Sequence, residues 1–494
     1  MHMDMPCIGS RRELLVDSCL IECFEGVALR LHPPQPQEIA ISFDEPWEAG
    51  APGLCTIFQD GALRRMYYRV PPPGCCEDQD PRQMTAYAES ADGIHWRKRD
   101  KAPIAFPGNY DSQNLIFWDA TAACYRAYWR DHRINDPQVP NGRDVRTAVS
   151  PDLAAWSVPR WLEYDPNRSG APELDQTDDP SGDHHQFYTS GVLPYPRAPH
   201  LLLGFPQRYC DRGWLATTGL LPDPEHRRRQ ADLNVGGGRP TRGGTVVTDV
   251  LFMASCDGIA FHVWPEAIVR PGIQRPGSWY YGGAWFTYGM LRTPSAFHGA
   301  PDELSIYIQE RPAPDTPGRL RRHTFRMDGF GSLNAPLPGG RAVTRPFTFD
   351  GDGLSINFST SSGGRLRIGL LEPGGGDISG FSLDDCDLQY GDQIDRVVTW
   401  RGKADVGMLA GRPVRLLVEL KDADLFAFRF RQGYDEYTIE GWANGRWQPL
   451  GKGSCIGHKR IETFKPVSVS KVRLIVTKAT AEPIIRRLAV YRTM

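Results

Sequence analysis

Asp111 and Glu48 are the two carboxylates best placed for acid–base chemistry, since each precedes a short run of strand-forming residues. Paired carboxylates suit the hydrolysis of a glycosidic bond, because one protonates the leaving oxygen while the other attacks the sugar or activates water. The competitors for these two roles are Asp131, Asp183 and Glu310. Arg130 could orient a neighbouring carboxylate or lower its pKa. The structural alternative is that Arg130 and Asp131 form an ion pair and that Asp111 caps a turn.

A further set of polar and aromatic residues occurs at corresponding points of successive strand-like runs. Where neighbouring strands are antiparallel, the start of the first strand and the end of the second lie at the same edge of the sheet. We therefore expect a small-molecule site at that edge. Its predicted ligand-binding residues are Gln113, Asn114, Arg130, His185, Tyr188, Arg208, Tyr281, Trp285 and Glu310. Tyr281 and Trp285 could stack on a sugar ring, although aromatic residues on inner strands more often belong to a core.

The elements that must position these residues repeat along the chain. Segments 87–96, 147–156, 252–261 and, more weakly, 324–330 combine an apolar run, Ser-x-Asp-Gly or a close variant, and then an aromatic residue. Asp-Gly after a short apolar run is a hairpin signal, because its turn needs positive φ. Two further strand-like runs precede each segment. Such recurrence is typical of β-propeller blades.

The repeats predict an all-β fold, with a β-propeller domain at 9–341 and a β-sandwich domain at 342–494, of which 434–494 form an extension. Four blades are legible, and residues 11–45 could supply a fifth by closing the ring with the chain's own end. Alternating apolar and polar residues, as in 414–420, indicate the sandwich strands. A pair of large sandwiches is the alternative to the propeller.

The composition limits the classes of partner. The chain has 494 residues with Gly 51 and Pro 42, which favours many short strands joined by turns. Its net charge of −2 argues against a nucleic-acid or anionic-membrane partner, and no apolar stretch approaches the length of a membrane span. We expect a small, sugar-like ligand instead. The arginine run at 227–229 is interpreted as a solvated loop.

The 11 cysteines are odd in number and scattered, which favours free thiols in a reducing compartment. The N-terminus shows no basic segment followed by an apolar run, so we expect a cytoplasmic protein without a secretory signal. A secreted mature form is the alternative. No CxxC occurs, and His184 and His185 have no third ligand nearby in the sequence, so no metal site is predicted. No cofactor is expected either.

Around these residues the chain resembles a largely uncharacterised family related to the five-bladed propeller glycosidases of the invertase, levansucrase and arabinanase type. The resemblance is carried by segments 9–17, 110–119, 197–205 and 421–429, and it covers most of residues 9–430. It implies a propeller fold and a glycosidase-like activity on a small sugar or furanoside.

The chain departs from that family in ways that bear on its chemistry. It lacks an additional blade that typical members carry between the first and second repeats. The better-understood relatives have a carboxylate at the start of three inner strands, where this chain has Asn114 and the pairs 52–53 and 189–190. Asp111 lies about three positions away, and His185 stands where the third acid is expected. These differences argue against ordinary hydrolysis.

The last part of the chain, about sixty residues, is separately similar to the C-terminal sandwich of α-L-fucosidases and to discoidin-like carbohydrate modules. The similar segments are 447–450, 457–460, 464–467 and 471–474.

Three functions compete for the whole chain. The first is a glycoside hydrolase-like enzyme at the propeller mouth. The second is a propeller enzyme that catalyses a non-hydrolytic step, such as a cyclisation, in metabolite biosynthesis. The third is a carbohydrate-binding protein without turnover.

Overall fold

The structure, a computed structural model, describes residues 5–48, 54–70, 83–99, 104–108, 112–132, 143–164, 186–211, 213–233, 242–281, 283–310, 317–431, 436–454, 467–478 and 488. Nearly all of the regular structure in these ranges is β-strand, as the sequence predicts. The exceptions are the helices α1 (Pro224–Leu233) and α2 (Arg242–Thr245) and the short 3₁₀ turns Thr218–Leu220 and Gly407–Leu409.

The strands are numbered in chain order. The first four are β1 Cys7–Gly9, β2 Arg12–Leu14, β3 Ile21–Glu25 and β4 Ala28–Leu31. They are followed by β5 Gln35–Ser42, β6 Thr56–Asp60, β7 Leu63–Val70, β8 Gln83–Ser90, β9 Arg97–Lys98, β10 Ile104–Gly108, β11 Asn114–Asp119, β12 Cys124–His132, β13 Arg143–Ser150, β14 Arg160–Trp161 and β15 Glu163–Tyr164. Next come β16 Gln186–Thr189, β17 Leu193–Tyr195, β18 Ala198–Gly204, β19 Gln207–Asp211, β20 Val246–Ser255, β21 Ala260–Val269, β22 Trp285–Phe286, β23 Leu291–Thr293, β24 Glu303–Glu310 and β25 Arg319–Phe325. The last are β26 Gly331–Ala335, β27 Gly340–Thr344, β28 Thr348–Phe349, β29 Gly353–Leu371, β30 Asp392–Val397, β31 Arg415–Arg431, β32 Glu436–Ala443, β33 Arg446–Ser454 and β34 Lys471–Lys478.

The chain divides into two compact units. The middle unit is Leu31–Phe330, and the terminal unit combines Met1–Arg30 with Gly331–Met494. This division differs from the predicted boundary between 341 and 342. The physical reason is long-range pairing, because β2 and β26 both pair with β31 and β3 pairs with β27.

Four sheets form the described part of the middle unit. Sheet I contains β6 to β10, and sheet II contains β11 to β14. Sheet III contains β15 to β21, in which β16 pairs with β19, β17 pairs with β18, and β20 pairs with both β18 and β19. Sheet IV contains β22 to β25 together with β5. The pairing within the sheets is antiparallel except between β15 and β21.

Strand β5 is an edge strand of sheet IV. It pairs with β25 from the far end of the unit, with Ile41 opposite Leu320. Residues 35–42 therefore complete the fourth sheet. This differs from the prediction that residues 11–45 supply a fifth blade, because β3 and β4 pair with strands of the terminal unit instead.

Sheets I and IV lie side by side at their first strands. The backbone N–H of Ile57 in β6 donates to the carbonyl of Tyr288 at 2.7 Å, and Tyr288 N–H donates back to Cys55 at 3.0 Å. Gly289 has φ of 128°, and a Cβ there would lie 2.0 Å from the Ile57 carbonyl oxygen. Only glycine allows this approach, because any side chain would overlap the backbone of β6.

The predicted repeat turns share one hydrogen-bond pattern. Ser90 Oγ donates to Asp92 Oδ1 at 3.0 Å and accepts from the N–H of Gly93 at 2.9 Å. The same Asp92 oxygen accepts from the N–H groups two and three residues further on. Corresponding serine–aspartate contacts occur in Ser150–Asp152 and Ser255–Asp257. These turns connect β8 to β9, β13 to β14 and β20 to β21, so a local motif fixes the same hairpin three times.

The weaker fourth repeat is built differently. Asp328 adopts φ of 59°, and its buried carboxylate binds Arg197 at 2.9 Å and the hydroxyl of Tyr195 at 2.6 Å. The repeat therefore makes a long-range ion pair instead of the serine-supported turn.

In the terminal unit, β31 lies at the centre of an eight-stranded sheet and pairs with β2, β26, β27 and β29. Burial alternates along its first half, where Leu416, Val418 and Leu420 are buried and Glu419 lies on the other face. Such alternation is what a strand with one face on a core requires. The indole N–H of Trp400 donates to a carbonyl of β29 at 2.9 Å, which satisfies the polar atom of a fully buried ring.

Strands β32, β33 and β34 form a separate three-stranded sheet. Trp442 and Trp447 contact edge to face, with ring centroids 5.4 Å apart, and the Arg473 guanidinium lies 4.1 Å from the Trp447 ring. These strands cover the predicted segments 447–450 and 471–474. Segment 457–460 and residues 464–466 of segment 464–467 lie outside the described residues, and the similarity to the fucosidase tail stays a prediction.

Candidate functional site

The sheet registers place several of the predicted site residues, among them Asn114, Arg130 and Trp285, at corresponding ends of their sheets. Asn114 at the start of β11 faces Trp129 of β12, the residue before Arg130. In the same way Trp285 at the start of β22 faces Gln309, near the end of β24. Because the strands are antiparallel, the start of each first strand and the end of each second strand share an edge.

Six side chains at this edge pack together, and we call them the tyrosine–arginine cluster: Arg130, Arg143, Tyr188, Tyr209, Tyr281 and Trp285. Tyr188 is at its centre and is buried. Its ring centroid lies 5.7 Å from that of Tyr281 and 5.4 Å from that of Trp285, both in edge-to-face geometry. Tyr209 stacks on Tyr188 at 6.0 Å. Aromatic pairs in such geometry contribute about 0.5–1.5 kcal/mol beyond their burial.

Two guanidinium groups lie against these rings. Arg130 Cζ is 4.7 Å from the centroid of Tyr188. Arg143 Cζ is 5.3 Å from Tyr188 and 4.8 Å from Tyr209, and its side chain donates to the Gln186 amide oxygen. The negative face of a tyrosine ring attracts a cation, by about 0.5–2 kcal/mol depending on solvent exposure. These contacts hold two positive charges beside the aromatic rings.

Several buried polar atoms without a hydrogen-bond partner among the described residues lie in these strands or next to them. They include Ser112 Oγ, Thr189 Oγ1, both amide atoms of Gln207, and Trp285 Nε1. Thr189 and Gln207 face each other between β16 and β19. An unsatisfied buried polar group costs about 1–3 kcal/mol, so its presence in a native protein needs a reason. Hydrogen bonds to ordered water or to a polar ligand would satisfy these atoms.

Glu48 is fully buried in the segment between β5 and β6. Its carboxylate accepts from the Tyr68 hydroxyl at 2.9 Å, from Lys98 Nζ at 2.7 Å and from the Glu45 N–H at 2.9 Å. Burial and the nearby Glu48 carboxylate raise the pKa of Tyr68 well above its usual range, so the hydroxyl is a donor at every physiological pH. Glu48 therefore joins its own loop to β7 and β9 of sheet I through two of these hydrogen bonds.

Asp131 forms an ion pair with Arg146 at 2.9 Å, with side-chain exposures of 42% and 31%. Arg146 also lies 4.2 Å from the ring of Trp161. An exposed pair of this kind contributes little to stability, in the range of about 0–1 kcal/mol. A cation beside Asp131 is therefore Arg146, across β12 and β13. The predicted ion pair between Asp131 and Arg130 stays a prediction.

Arg208 and Glu310 are both held by opposite charges. Arg208 binds Asp249 through two hydrogen bonds of 2.8 Å and 2.5 Å across β19 and β20. Glu310 contacts Arg275 at 3.2 Å and Arg319 and Arg321 each at 2.8 Å. Burial opposes ionisation of Glu310, but the hydrogen bonds from Arg321 and Arg319 outweigh it and lower its pKa. Glu310 is therefore ionised at neutral pH and poorly suited to donate a proton.

Gln113 and Asn114 differ in their surroundings. The Gln113 side-chain oxygen accepts from the N–H of Gly191 at 3.0 Å, a contact that joins sheets II and III. Asn114 is exposed, and its amide donates to the Ser112 carbonyl at 3.3 Å. Asp111, Asp183 and His185 lie outside the described residues, so their predicted roles stay predictions.

Helix α1 contributes a residue that the sequence interpretation placed in a solvated loop. Arg227 is fully buried and donates to the carbonyls of Pro222, Gly244, Ser278 and Trp279. Its guanidinium also lies 3.9 Å from the ring centroid of Tyr280. The loop held in this way runs directly into Tyr281 of the tyrosine–arginine cluster.

Sequence reasoning missed Arg143, Tyr209 and Arg227. Arg143 opens β13 and Tyr209 lies inside β19, where the strand pattern alone gives no sign that their side chains meet Tyr188. The one signal, which applied to Arg143 alone, was position, since the start of a third strand lies at the same edge as the end of the second.

An open groove of about 560 Å³ lies elsewhere in the middle unit, along β5 and β9. Trp96, Asp44 and Lys98 are among the residues that line it. Lys98 links this groove to Glu48. The groove is not formed by the tyrosine–arginine cluster, and the orphaned buried polar atoms do not line it, so we assign the candidate site to the cluster.

No family model matches the chain, and no curated protein matches it. The chain is similar to solved structures. The BT0996 protein, in a complex with RGII, is 11% identical, with 60% of this chain and 92% of that one covered and a TM-score of 0.34. A glycosyl hydrolase from Bacteroides ovatus is 12% identical, with coverages of 61% and 94% and a TM-score of 0.28. The catalytic domain of the Coprinopsis cinerea GH62 α-L-arabinofuranosidase is 10% identical, with coverages of 60% and 97% and a TM-score of 0.26. TM-scores this low assign neither the fold nor the activity of this chain.

Two features are absent from the part of the chain that the structure describes. No helix there is both long enough and apolar enough to span a membrane. In the same ranges, no three or more His, Cys, Asp or Glu side chains come together as a metal site would require.

Proposed function

We propose that the chain is a glycoside hydrolase-like protein that takes a small sugar or furanoside at the tyrosine–arginine cluster. The observation that carries the proposal is the convergence of aromatic rings and guanidiniums from several sheets beside Tyr188. Aromatic faces pack against the apolar face of a sugar, while arginine and indole N–H groups donate to its oxygens. The proposed ligand is a small molecule, with neither nucleic acid nor membrane as partner and without a cofactor.

The proposed architecture follows from the same sheets. We infer that sheets I to IV are blades of a four-bladed propeller, and that the terminal unit is a β-sandwich with a fucosidase-like extension. Pairing of β5 with β25 supports ring closure, since it joins the two ends of the repeat array. In this arrangement the first strands surround the centre, and their starts form the mouth of the site.

Asp111 is the proposed catalytic carboxylate. Among the described candidates, Glu48 is bound by Lys98 and Asp131 by Arg146. A carboxylate held in an ion pair must break that pair before it can contact a substrate. The complete catalytic pair of a glycosidase would place two carboxyl groups about 5 Å apart for retention or about 6.5–9.5 Å apart for inversion.

Binding without hydrolysis is the second candidate function, either as a non-catalytic protein or as an enzyme of a cyclisation type. The specific observation in its favour is that the described candidates Glu48, Asp131 and Glu310 are all held by cations. A site without an available acid can bind a sugar and still fail to cleave a glycoside.

The two functions are distinguished by assays on the full chain. We would measure release of p-nitrophenol from a panel of aryl glycopyranosides and furanosides, and sugar binding by calorimetry. Hydrolysis that Asp111→Asn abolishes, while the melting temperature and sugar affinity are retained, supports the hydrolase. The control is Asp302→Asn, which removes an exposed ion pair with Arg292 outside the proposed site and should leave turnover within about twofold. Binding with no turnover on any substrate supports the second candidate.

A further inference from the structure

We propose that two helices and one loop form a lid, which opens to admit the ligand to the tyrosine–arginine cluster. The lid consists of the 3₁₀ turn Thr218–Leu220, α1, α2 and the loop 270–281, and we call these residues the cap. This inference rests on the proposed function, because it states how a ligand reaches the proposed site.

The central rings of the cluster are closed off from solvent in the structure. Tyr188 and Tyr209 are 4% and 2% exposed, whereas Tyr281 of the cap is half-buried. The ring centroid of Tyr281 lies 5.7 Å from that of Tyr188 and 6.0 Å from that of Tyr209. Tyr281 is therefore part of the layer between these rings and solvent. A sugar can stack on Tyr188 only after that layer moves.

The cap is held together from within. Arg227 of α1 donates to four carbonyls, those of Pro222 and Gly244 and, in the loop, those of Ser278 and Trp279. A Cβ on Gly244 would lie 2.3 Å from the Arg227 carbonyl oxygen, so only glycine allows α2 to pack this closely on α1. These contacts join both helices and the loop into one body.

A second set of contacts joins the loop to the start of α1. The Asp223 carboxylate accepts from the N–H of Gly277 at 2.9 Å, and the Tyr280 hydroxyl donates to the Asp223 carbonyl at 3.3 Å. The ring of Tyr280 also packs edge to face on that of His226 at 5.8 Å. Because the helices and the loop are linked at several points, we expect the cap to move as a rigid body.

The described part of the cap makes few apolar contacts that could fix it to the sheets. Among the described side chains of α1, only Arg227 and Ala231 are buried, and both lie against Gly244 of α2. A helix normally attaches to a core through an apolar stripe, and the described part of α1 has none. The apolar side chains of Leu220 and Ile273 are 76% and 85% exposed. Segments with few buried apolar contacts open at a low cost in free energy.

Arg275 links the loop of the cap to sheet IV. Its guanidinium lies 3.2 Å from the Glu310 carboxylate in β24, and 43% of its side chain is exposed. An ion pair with such an exposed partner is weak. Glu310 keeps Arg319 and Arg321 as partners when Arg275 leaves, so the pair can break without leaving an uncompensated carboxylate. Arg275 therefore acts as a latch on the closed cap.

The test measures opening through the reactivity of a buried thiol in the full chain. Val246 directly follows α2 and packs with Tyr188 and Tyr209, so Val246→Cys places a thiol where the cap meets the cluster. Val250→Cys is the matched control, because Val250 is buried four residues further along β20. N-ethylmaleimide labelling is followed by peptide mass spectrometry, since the chain has 11 cysteines of its own. We expect the first thiol to be labelled at least tenfold faster than the second.

Removal of the latch should shift the cap towards its open state. Arg275→Gln should raise the labelling rate of the Val246→Cys protein at least threefold, because the closed state loses an ion pair that the open state does not have. Arg292→Gln is the control, because this exposed arginine pairs with Asp302 at the other end of sheet IV. It should leave the labelling rate unchanged.

Sugar-binding kinetics of the chain without introduced thiols give a second measurement. We would follow tryptophan fluorescence in a stopped-flow instrument with D-glucose, D-galactose and L-arabinose as probes. If opening precedes binding, the observed rate approaches a limit set by the opening rate as the sugar concentration rises. Arg275→Gln should raise that limit, and Arg292→Gln should not.

Four outcomes would contradict the account. Equal labelling of the two thiols contradicts an opening cap, and unchanged labelling in Arg275→Gln contradicts the latch. A binding rate that rises in proportion to sugar concentration without a limit shows that the cluster binds without opening, so the lid is wrong while the proposed function stands. If the first thiol is labelled faster but no sugar binds, the cap opens and the proposed function fails, together with the admission of a ligand.

Discussion

The guanidinium of Arg130 lies 4.7 Å from the ring centre of Tyr188, a contact between the end of one sheet's second strand and the start of the next sheet's first strand. It joins a charge and an aromatic face that are 58 positions apart in the sequence. The same ring is in contact with Tyr209, Tyr281 and Trp285. Tyr188 therefore connects the groups that we assign to ligand binding.

Removal of the central ring should affect both stability and binding. Tyr188→Ala should lower the free energy of unfolding by about 3–5 kcal/mol, since it removes a buried aromatic side chain from a packed cluster. Tyr188→Phe keeps the ring and should lower it by less than about 1.5 kcal/mol. Chemical denaturation of the full chain measures both. Equal loss for the two variants would show that the hydroxyl matters more than the ring packing.

Glu48 should behave as a structural anchor. Glu48→Gln leaves the nearly buried Lys98 ammonium without its strongest partner, and breaking such a pair costs about 3–5 kcal/mol. Asp131→Asn, which breaks an exposed pair, should cost less than about 1 kcal/mol. Denaturation midpoints of the two variants test this difference. A Glu48→Gln protein of unchanged stability and abolished turnover would instead support the predicted catalytic role of Glu48.

Arg227 should control the position of Tyr281. Arg227→Gln cannot reach all four carbonyls that the guanidinium binds, and each buried acceptor left unsatisfied costs about 1–3 kcal/mol. We expect a lower melting temperature and at least tenfold weaker sugar binding. The neighbouring Arg228→Gln is the matched control, because Arg228 is exposed on the same helix. Unchanged sugar affinity in a folded Arg227→Gln protein would show that Arg227 of α1 does not position the binding site.

His323 should make stability depend on pH. Burial lowers the pKa of His323 from its ordinary value of 6.5 to about 4. The unfolded chain therefore binds the proton more readily, so stability is complete above about pH 6.5 and falls as the pH drops towards 4. The loss attributable to this group is on the order of 3 kcal/mol.

His323→Gln should remove this part of the dependence of the free energy of unfolding on pH. We would measure the free energy of unfolding of both proteins between about pH 7 and pH 4.5. Over this range the free energy of unfolding should fall further in the parent than in the variant, and the difference is the contribution of His323. Parallel profiles would contradict a buried neutral histidine. A lysine substitution is unsuitable as a control, since it introduces a charge next to Arg321.

The local parts of the fold could be predicted from the sequence. The serine–aspartate turns at Asp92, Asp152 and Asp257 form from residues within six positions of one another, so the motif alone specifies the hairpin. The all-β class follows from the same local signals. The partners of β2, β3 and β5 could not be predicted, because their pairing residues lie hundreds of positions away and edge strands of similar pattern are interchangeable in sequence.

The site was predictable in position but not in chemistry. Tyr188, Trp285 and Arg130 were expected at one edge because strand ends repeat. The arginine that neutralises Asp131 and the buried state of Glu48 depend on contacts between strands, which a single sequence does not reveal. The interpretation of Arg227 was wrong because a run of three arginines is usually solvated, whereas in this fold one of them faces the interior.

A crystal structure of the full chain soaked with the tightest-binding sugar tests the placement of the ligand most directly. The sugar should lie at the tyrosine–arginine cluster, with one of its hydroxyls within hydrogen-bond distance of Trp285 Nε1. Ordered sugar in the groove lined by Trp96 and Lys98, with none at the cluster, would contradict the proposed site.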